Sequence, residues 1–331
     1  MAEEAAFTSS AMATALENSS VSYEDLEDIE KQFDDVETEI IRQQVALTAP
    51  LYVKRAELLS KIENFWPLVL EQAPPDIDQF IQPSDSALLL SSLTSLSVDN
   101  FEIGANKNGD PRSVAIKFEF AENEYFENKV LEKKFWYRTA SDGWSGLVSE
   151  PVKINWKKDK DLTGGLLDLV IKAYEVEQSG NGAAAKKGEP NDAQKALQKK
   201  IEGTGMGGLS FFSWFGFIGR RVTEEVSKEA IKREAAKRKG EKVEEDEPMT
   251  EEQEDQEDLE QSLEIFPDGD DLAIAIAEDL WPGAIKYFTQ AQEQDALSDL
   301  DFESGDEDDE AGSFQGLSDD EEAPPLKKMR S

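Results

Sequence analysis

The 331-residue chain contains no cysteine and no histidine. Their absence removes thiol nucleophiles, disulfides, Cys- or His-held zinc, His- or Cys-ligated haem and imidazole general bases. It leaves the redox compartment open. Positive charge is also scarce: 35 Lys and Arg stand against 72 Asp and Glu, a formal net charge of −37. Such a chain repels nucleic acid and attracts basic proteins over roughly a Debye length, ~10 Å. Direct, sequence-specific nucleic-acid binding is therefore disfavoured. No apolar run reaches the ~18 residues of a membrane span. Residues 1–20 lack the basic and apolar stretches of a signal peptide. A soluble intracellular protein without cofactor or metal is expected. An enzyme would have to work by carboxylates alone.

The longest ordered pattern starts at Ser22. Leu26, Ile29, Phe33, Val36 and Ile40 recur at spacings of three and four, and Leu47, Leu51, Leu58, Ile62 and Phe65 resume the seam. A seam this narrow is the signature of a coiled coil. Ser22 with Asp25 forms a capping-box-like start, and Pro50 should kink or break the helix. Continuous to Trp66, it would be a rod of roughly 65 Å. Its simplest partner is a second copy; an intramolecular helical hairpin is the other reading, although no second helix of similar length follows.

Beyond Trp66 come short helical pieces. Pro74-Pro75 stops the first, Asp76 caps another turn that ends before Pro83, and Ser84 or Asp85 opens a helix with Leu88, Leu89 and Leu93. Four strands are expected at Leu96–Ile103, Val114–Phe120, Val130–Tyr137 and Val152–Trp156. Asn108-Gly109 and Ser141-Asp142-Gly143 mark turns. Short connections make the sheet antiparallel, and flanking helices make the class α+β. Leu166–Val176 reads as a helix. Residues 178–208 read as a linker with a short helix near Ala193–Ile201. Its Gly203–Gly208 stretch matches G-x-G-x-x-G, but without the preceding strand a dinucleotide loop requires. Phe211, Phe212, Trp214 and Phe215 are core candidates. Residues 220–239 form a charged helix of net charge near +4. A final helix pair spans Asp271–Leu280 and Pro282–Gln292.

Acidity is concentrated. Residues 241–271 hold 16 acids and one Lys, and residues 295–322 hold 13 acids and no base. Both stretches read as unfolded polyanions. They either contact basic partners or merely keep the chain soluble.

In order, the motifs Leu51-Tyr-Val-Lys-Arg-Ala-Glu-Leu-Leu, Ile62-Glu-Asn-Phe-Trp66, Asn123-Glu-Tyr-Phe-Glu-Asn-Lys-Val-Leu131, Ile154-Asn-Trp-Lys, Asp161-Leu-Thr163, Ser210-Phe-Phe-Ser-Trp-Phe215 and Asp271 through Trp281-Pro282 to Tyr287-Phe288 resemble the nucleosome assembly protein family, in particular its SET-like branch of histone chaperones. Each motif is weak alone; the ordered set is specific and covers roughly residues 23–175 and 209–290.

The resemblance implies a headphone-shaped homodimer. Long helices over 22–66 would pair through Leu26, Ile29, Phe33, Val36, Ile40, Leu47, Leu51 and Leu58, with Pro50 a tolerated kink. Each would carry an α+β "earmuff" over 67–176 and 209–292, interrupted by the 177–208 linker and a 220–270 insert. A disordered arm, 1–21, and an acidic tail, 293–331, would flank them. Core histones would meet acidic surfaces. Candidates are Glu122, Glu124 and Glu127 in the loop after the second strand, Asp268, Asp270, Asp271, Glu278 and Asp279 near the last helices, and Asp306, Glu307, Asp308, Asp309 and Glu310 in the tail. Solvated rims and helix faces are the alternative for these clusters.

Ser298, Ser304 and Ser318 each precede an acid by three residues, which suits an acid-directed kinase, although acidic tails produce such matches by chance. Lys327, Lys328 and Arg330, with the Lys232–Lys239 cluster, suit nuclear import receptors or are plain surface charge. The nucleus, together with the cytoplasm, is the expected location. The resemblance also supplies a histone acetyltransferase or a protein phosphatase as partner. A dimeric acidic scaffold or phosphatase regulator, without histone delivery, is the competing function.

Overall fold

In a computed structural model, residues 20–104, 107–179, 190–204, 208–238 and 251–303 are described. Helix α1 runs Tyr23–Leu59, 37 residues, or ~55 Å. Its start is the expected capping box: the Asp25 amide donates to Ser22 Oγ at 3.1 Å, and the Ser22 amide to Asp25 Oδ2 at 2.8 Å. The helix continues through Pro50 and ends sooner than Trp66. A turn closes at Asn64 in the left-handed region, φ 55°, and α2, Phe65–Glu71, starts a new direction. Ile62 therefore falls in the turn, and Phe65 is buried in the domain core rather than in the seam.

Two short helices follow, α3 (Pro75–Asp78) and α4 (Pro83–Ser92). Helix α4 begins at Pro83 itself. Proline suits a first helical position because the amide it lacks would be unpaired there. Asp85 sits three residues after the N-cap, with its side chain turned inward.

The sheet comprises β1 (Leu93–Asp99), β4 (Val114–Phe120), β5 (Val130–Thr139) and β6 (Ser145–Ser149), antiparallel in the order β1-β4-β5-β6. A two-residue hairpin, β2 (Ile103–Gly104) and β3 (Lys107–Asn108), fills the β1–β4 connection. The expected first strand is displaced: β1 leaves α4 directly at Leu93 and ends before the hairpin.

The expected fourth strand is wrong. Gly143 at φ 88° lets the chain reverse, so Ser145 pairs at once with Thr139. Val152–Trp156 is extended but has a single bridge, Trp156 to Phe126. Its alternation reflects packing on the aromatic segment, where the Val152 amide donates to the Phe215 carbonyl at 2.8 Å.

That segment is a 3-10 helix, Phe211–Gly216, and it is the core. Phe212, Trp214 and Phe215 are fully buried and ring the sheet residues Phe118, Phe120 and Phe135. Two buried charges fasten it. Asp85 accepts from Ser210 Oγ at 2.6 Å and the Phe211 amide at 2.7 Å. Lys133 Nζ donates to the carbonyls of Glu150, Phe215 and Phe217 at 2.9, 3.2 and 2.9 Å.

Part of the expected linker is folded. Helix α6 (Asp192–Thr204) docks Leu197 against α5 (Leu166–Gln178). The described part of the acidic run is also folded. Its residues 251–262 form α8 (Glu251–Ser262), and Leu263, Ile265 and Phe266 behind it are buried. Between these lies α7 (Glu224–Arg238), packed on β5, where Ser227 Oγ accepts from the Thr139 amide. Helix α9 (Gly269–Ala275) passes into a π-helical turn, Ile276–Leu280, and α10 (Ala284–Glu303) follows.

Candidate functional site

Two faces of α1 have different surroundings. All eight seam residues, Leu26, Ile29, Phe33, Val36, Ile40, Leu47, Leu51 and Leu58, are exposed; Leu47 reaches 74%. Roughly 100° round the helix, Ile41, Val45, Thr48, Tyr52 and Arg55 face the domain across a cleft. Arg55 is the fastening. It lies 4.5 Å from the centroids of both Tyr52 and Trp281 and donates to the carbonyls of Trp281 at 2.7 Å and Pro282 at 3.2 Å. Burial pulls its pKa down. Farther out, Arg42 donates to the Gly109 carbonyl, and Lys31–Glu234 and Arg238–Asp35 link α1 to α7, each at 2.9 Å.

The loop carboxylates are held outward by an inward anchor. Asn123 Oδ1 accepts from the amides of Tyr125 and Phe126, and Phe126 is buried against Phe120, Trp156 and Phe212. Glu122, Glu124 and Glu127 are left exposed. Glu124 meets Lys160 at 3.4 Å.

The second cluster surrounds α9. Asp270 and Asp271 lie in its first turn, where the helix dipole favours negative charge. Burial raises the Asp270 pKa, and Asp271 and Asp268 raise it further. Asp268, Asp271, Glu278 and Asp279 are exposed. Asp279 accepts from Tyr287 at 2.8 Å; burial first, then this bond, pushes the phenol up to about 12. The loop cluster and the α9 cluster are two acidic rims, and among the described residues no hydrogen bond or ion pair joins them. Asp306–Glu310, Ser304, Ser318, Lys327, Lys328 and Arg330 lie outside the described residues, as does the side chain of Ser298.

The cleft itself was not foreseen. It holds about 1130 Å³ between α1, β1 and the π turn, and Asp99 and Glu278 border it. Only its Arg55–Tyr52 half carries a local signal, an aromatic three residues before an arginine on one helix face; Trp281 comes to it from 226 residues away. Among the described residues no group of acids could hold a metal ion, and no helix is long and apolar enough to cross a membrane.

An acid-rimmed α+β domain carried on a long helix with a bare seam is a protein-binding module. The sequence model of the nucleosome assembly protein (NAP) family matches residues 57–291, and the chain belongs to that family. An inferred nucleosome assembly protein of Schizosaccharomyces pombe is 28% identical over 285 residues, 83% of this chain and 82% of that protein. Protein SET of Drosophila melanogaster is 37% identical over 133 residues, covering 37% of this chain and 43% of its own. The vacuolar protein sorting-associated protein 75 of Saccharomyces cerevisiae is 24% identical over 91% of this chain and 92% of that one. A crystal structure of Vps75 shares the fold: TM-score 0.51 at 23% identity, covering 81% of this chain and 96% of that one.

Proposed function

We propose that this chain is a nuclear histone chaperone of the nucleosome assembly type. It binds core histones on its acidic surfaces, withholds them from stray contact with DNA and releases them for assembly, without catalysis. Membership of the family carries the reading, and the charge of −37 gives it a mechanism. Exposed carboxylates compete with phosphate for histone Lys and Arg without base readout. Each exposed pair contributes ~0–1 kcal/mol, so many must act together. Pairing of two chains through the α1 seam doubles the acidic surface.

The seam supports that pairing energetically. Burying a large apolar side chain stabilises by roughly 1.5–3 kcal/mol, and eight half-exposed ones on each copy give on the order of 15 kcal/mol gross. Association costs about 4–15 kcal/mol. A histone acetyltransferase or a protein phosphatase is the further partner the family suggests, and copurification tests each. Binding of core histones to the full chain over a salt series tests the main reading. Tight binding near physiological salt that weakens steadily as salt rises is expected. Equal retention of unrelated basic proteins of similar charge would leave only the acidic scaffold.

A further inference from the structure

The two edges of the sheet are treated differently. The outer edge of β6 is tied at its end, where the Ser149 amide donates to the Ile218 carbonyl at 2.8 Å. The outer edge of β1 is not. Among the described residues, no backbone hydrogen bond from Thr94–Asp99 reaches any segment but β4. Nor does β1 carry the lysine or proline that commonly blunts an edge.

That open edge faces the cleft. Every residue from Thr94 to Asn100 lines it. A strand showing only one face contributes alternate residues, so an unbroken run means the edge itself is presented. The opposite wall is the apolar flank of α1 at Val45 and Tyr52.

The charge of the cleft selects an occupant. Its two cations are spent: Arg55 on the Trp281 and Pro282 carbonyls, and Arg112 on Asp110 and the Tyr137 ring. Glu119 pairs with Lys117. Asp99 and Glu278 have no ion-pair partner among the described residues, and both are exposed.

We infer that the cleft takes an extended basic segment of a bound histone, added as a fifth strand along β1. Main-chain hydrogen bonds to β1 supply a register. One set of alternate side chains packs on α1, while Lys or Arg reaches Asp99 and Glu278. Seven residues of β1 at ~3.4 Å each accommodate a segment of about 24 Å. This rests on the histone-chaperone reading and adds a sequence-tolerant strand contact to its electrostatic rims.

Hydrogen exchange read by mass spectrometry on the full chain, with and without purified core histones, tests it. Histones should slow exchange in Thr94–Asp99 by about tenfold or more, and Ala56→Trp should abolish that protection. Ala56 lines the cleft on the side of α1 away from the seam, so sedimentation of this variant should be unchanged. The double variant D99K/E278K should weaken the protection and its salt dependence together. Histone binding with no change in β1 exchange would overturn the inference and leave the chaperone reading intact. Protection that survives Ala56→Trp would also overturn it. Protection that appears with chain concentration alone would assign the edge to a second copy, again against it. Absence of any histone binding would sink the chaperone reading itself.

Discussion

Lys133 is the sharpest test of how the core is held. It is fully buried under the 3-10 helix, and burial pushes its ammonium down from 10.5 to about 7, with Glu264 and Glu150 opposing. In the unfolded chain the group keeps its ordinary value. Between pH 7 and 10.5 the unfolded state therefore binds more protons than the native state, and stability rises with pH. The gain is complete above 10.5 and lost as pH falls through 7. From pH 7 to pH 9 the linkage amounts to about 2 kcal/mol. The window closes near pH 10, because Tyr174 and Tyr287, both raised to about 12, retain their protons in the native state and reverse the slope. Urea unfolding at pH 7 and pH 9, at one protein concentration, measures the difference. Lys133→Met removes the titrating group, so the variant should show a flat response in this interval. Its absolute stability sets two effects against each other. The Phe217 carbonyl loses its donor, at ~1–3 kcal/mol, while the desolvated charge disappears. The Phe215 carbonyl keeps its bond from the Val152 amide. Equal pH slopes in the two proteins would refute the reasoning, whatever the net stability.

The proposed pairing makes a second prediction: the unaltered chain should sediment as a pair, and the double variant F33D/V36D as a single chain at the same concentration, with unchanged far-ultraviolet helicity. Gly269 packs so tightly that an added Cβ would lie 2.4 Å from Phe217, while its carbonyl accepts from Trp214. Gly269→Ala should cost about 2–4 kcal/mol in denaturant unfolding, and a loss under ~0.5 kcal/mol would show the contact to be slack. Asp85→Ala strands three donors, Ser210 Oγ and the amides of Phe211 and Gln82, for a loss of roughly 3 kcal/mol; Asp85→Asn should lose less. Arg55→Ala should speed hydrogen exchange in the C-terminal half of α1 and shift Trp281 fluorescence, and no change in either would disprove the clamp.

The elements legible in the sequence were those whose signal is local. The Ser22 cap, β4, β5 and the aromatic core each show in a few consecutive residues. What escaped depends on distant partners. Val152–Trp156 alternates like a strand, but its inward residues pack on Phe212 and Phe215, some 60 residues later, and β5 had already found a closer partner across Gly143. The 178–208 region has linker composition, yet Leu197 finds a place among Leu166, Val170 and Ile265 that no local window reveals. In the acidic rims, sequence located the carboxylates but could not say which face a cleft. Among the described candidates only Glu278 does, joined by Asp99 and Glu119 of the sheet, which read as ordinary strand residues.

If two chains pair as proposed, the bare seam and the fastened flank of α1 would impose an order on assembly. Near its C-terminus the helix is tied by Leu59 in the core and by Arg55 against the Tyr52–Trp281 ring pair. Toward its N-terminus it is held by Lys31–Glu234 and Arg238–Asp35, where Asp35 is 67% exposed. Exposed pairs contribute ~0–1 kcal/mol and weaken in salt. The first half of α1 is therefore tied to its own domain by one partly buried pair, Lys31–Glu234, and one exposed pair, Arg238–Asp35, while its seam residues remain exposed. A partner helix laid on Leu26–Ile40 gains the whole of that apolar surface at little cost in intrachain contacts. Under the proposed pairing, the partner would fix the line of the helix, and through Arg55 the domain would be held against it. On that proposal the polar ties set which flank turns inward, and the seam would decide where the helix points.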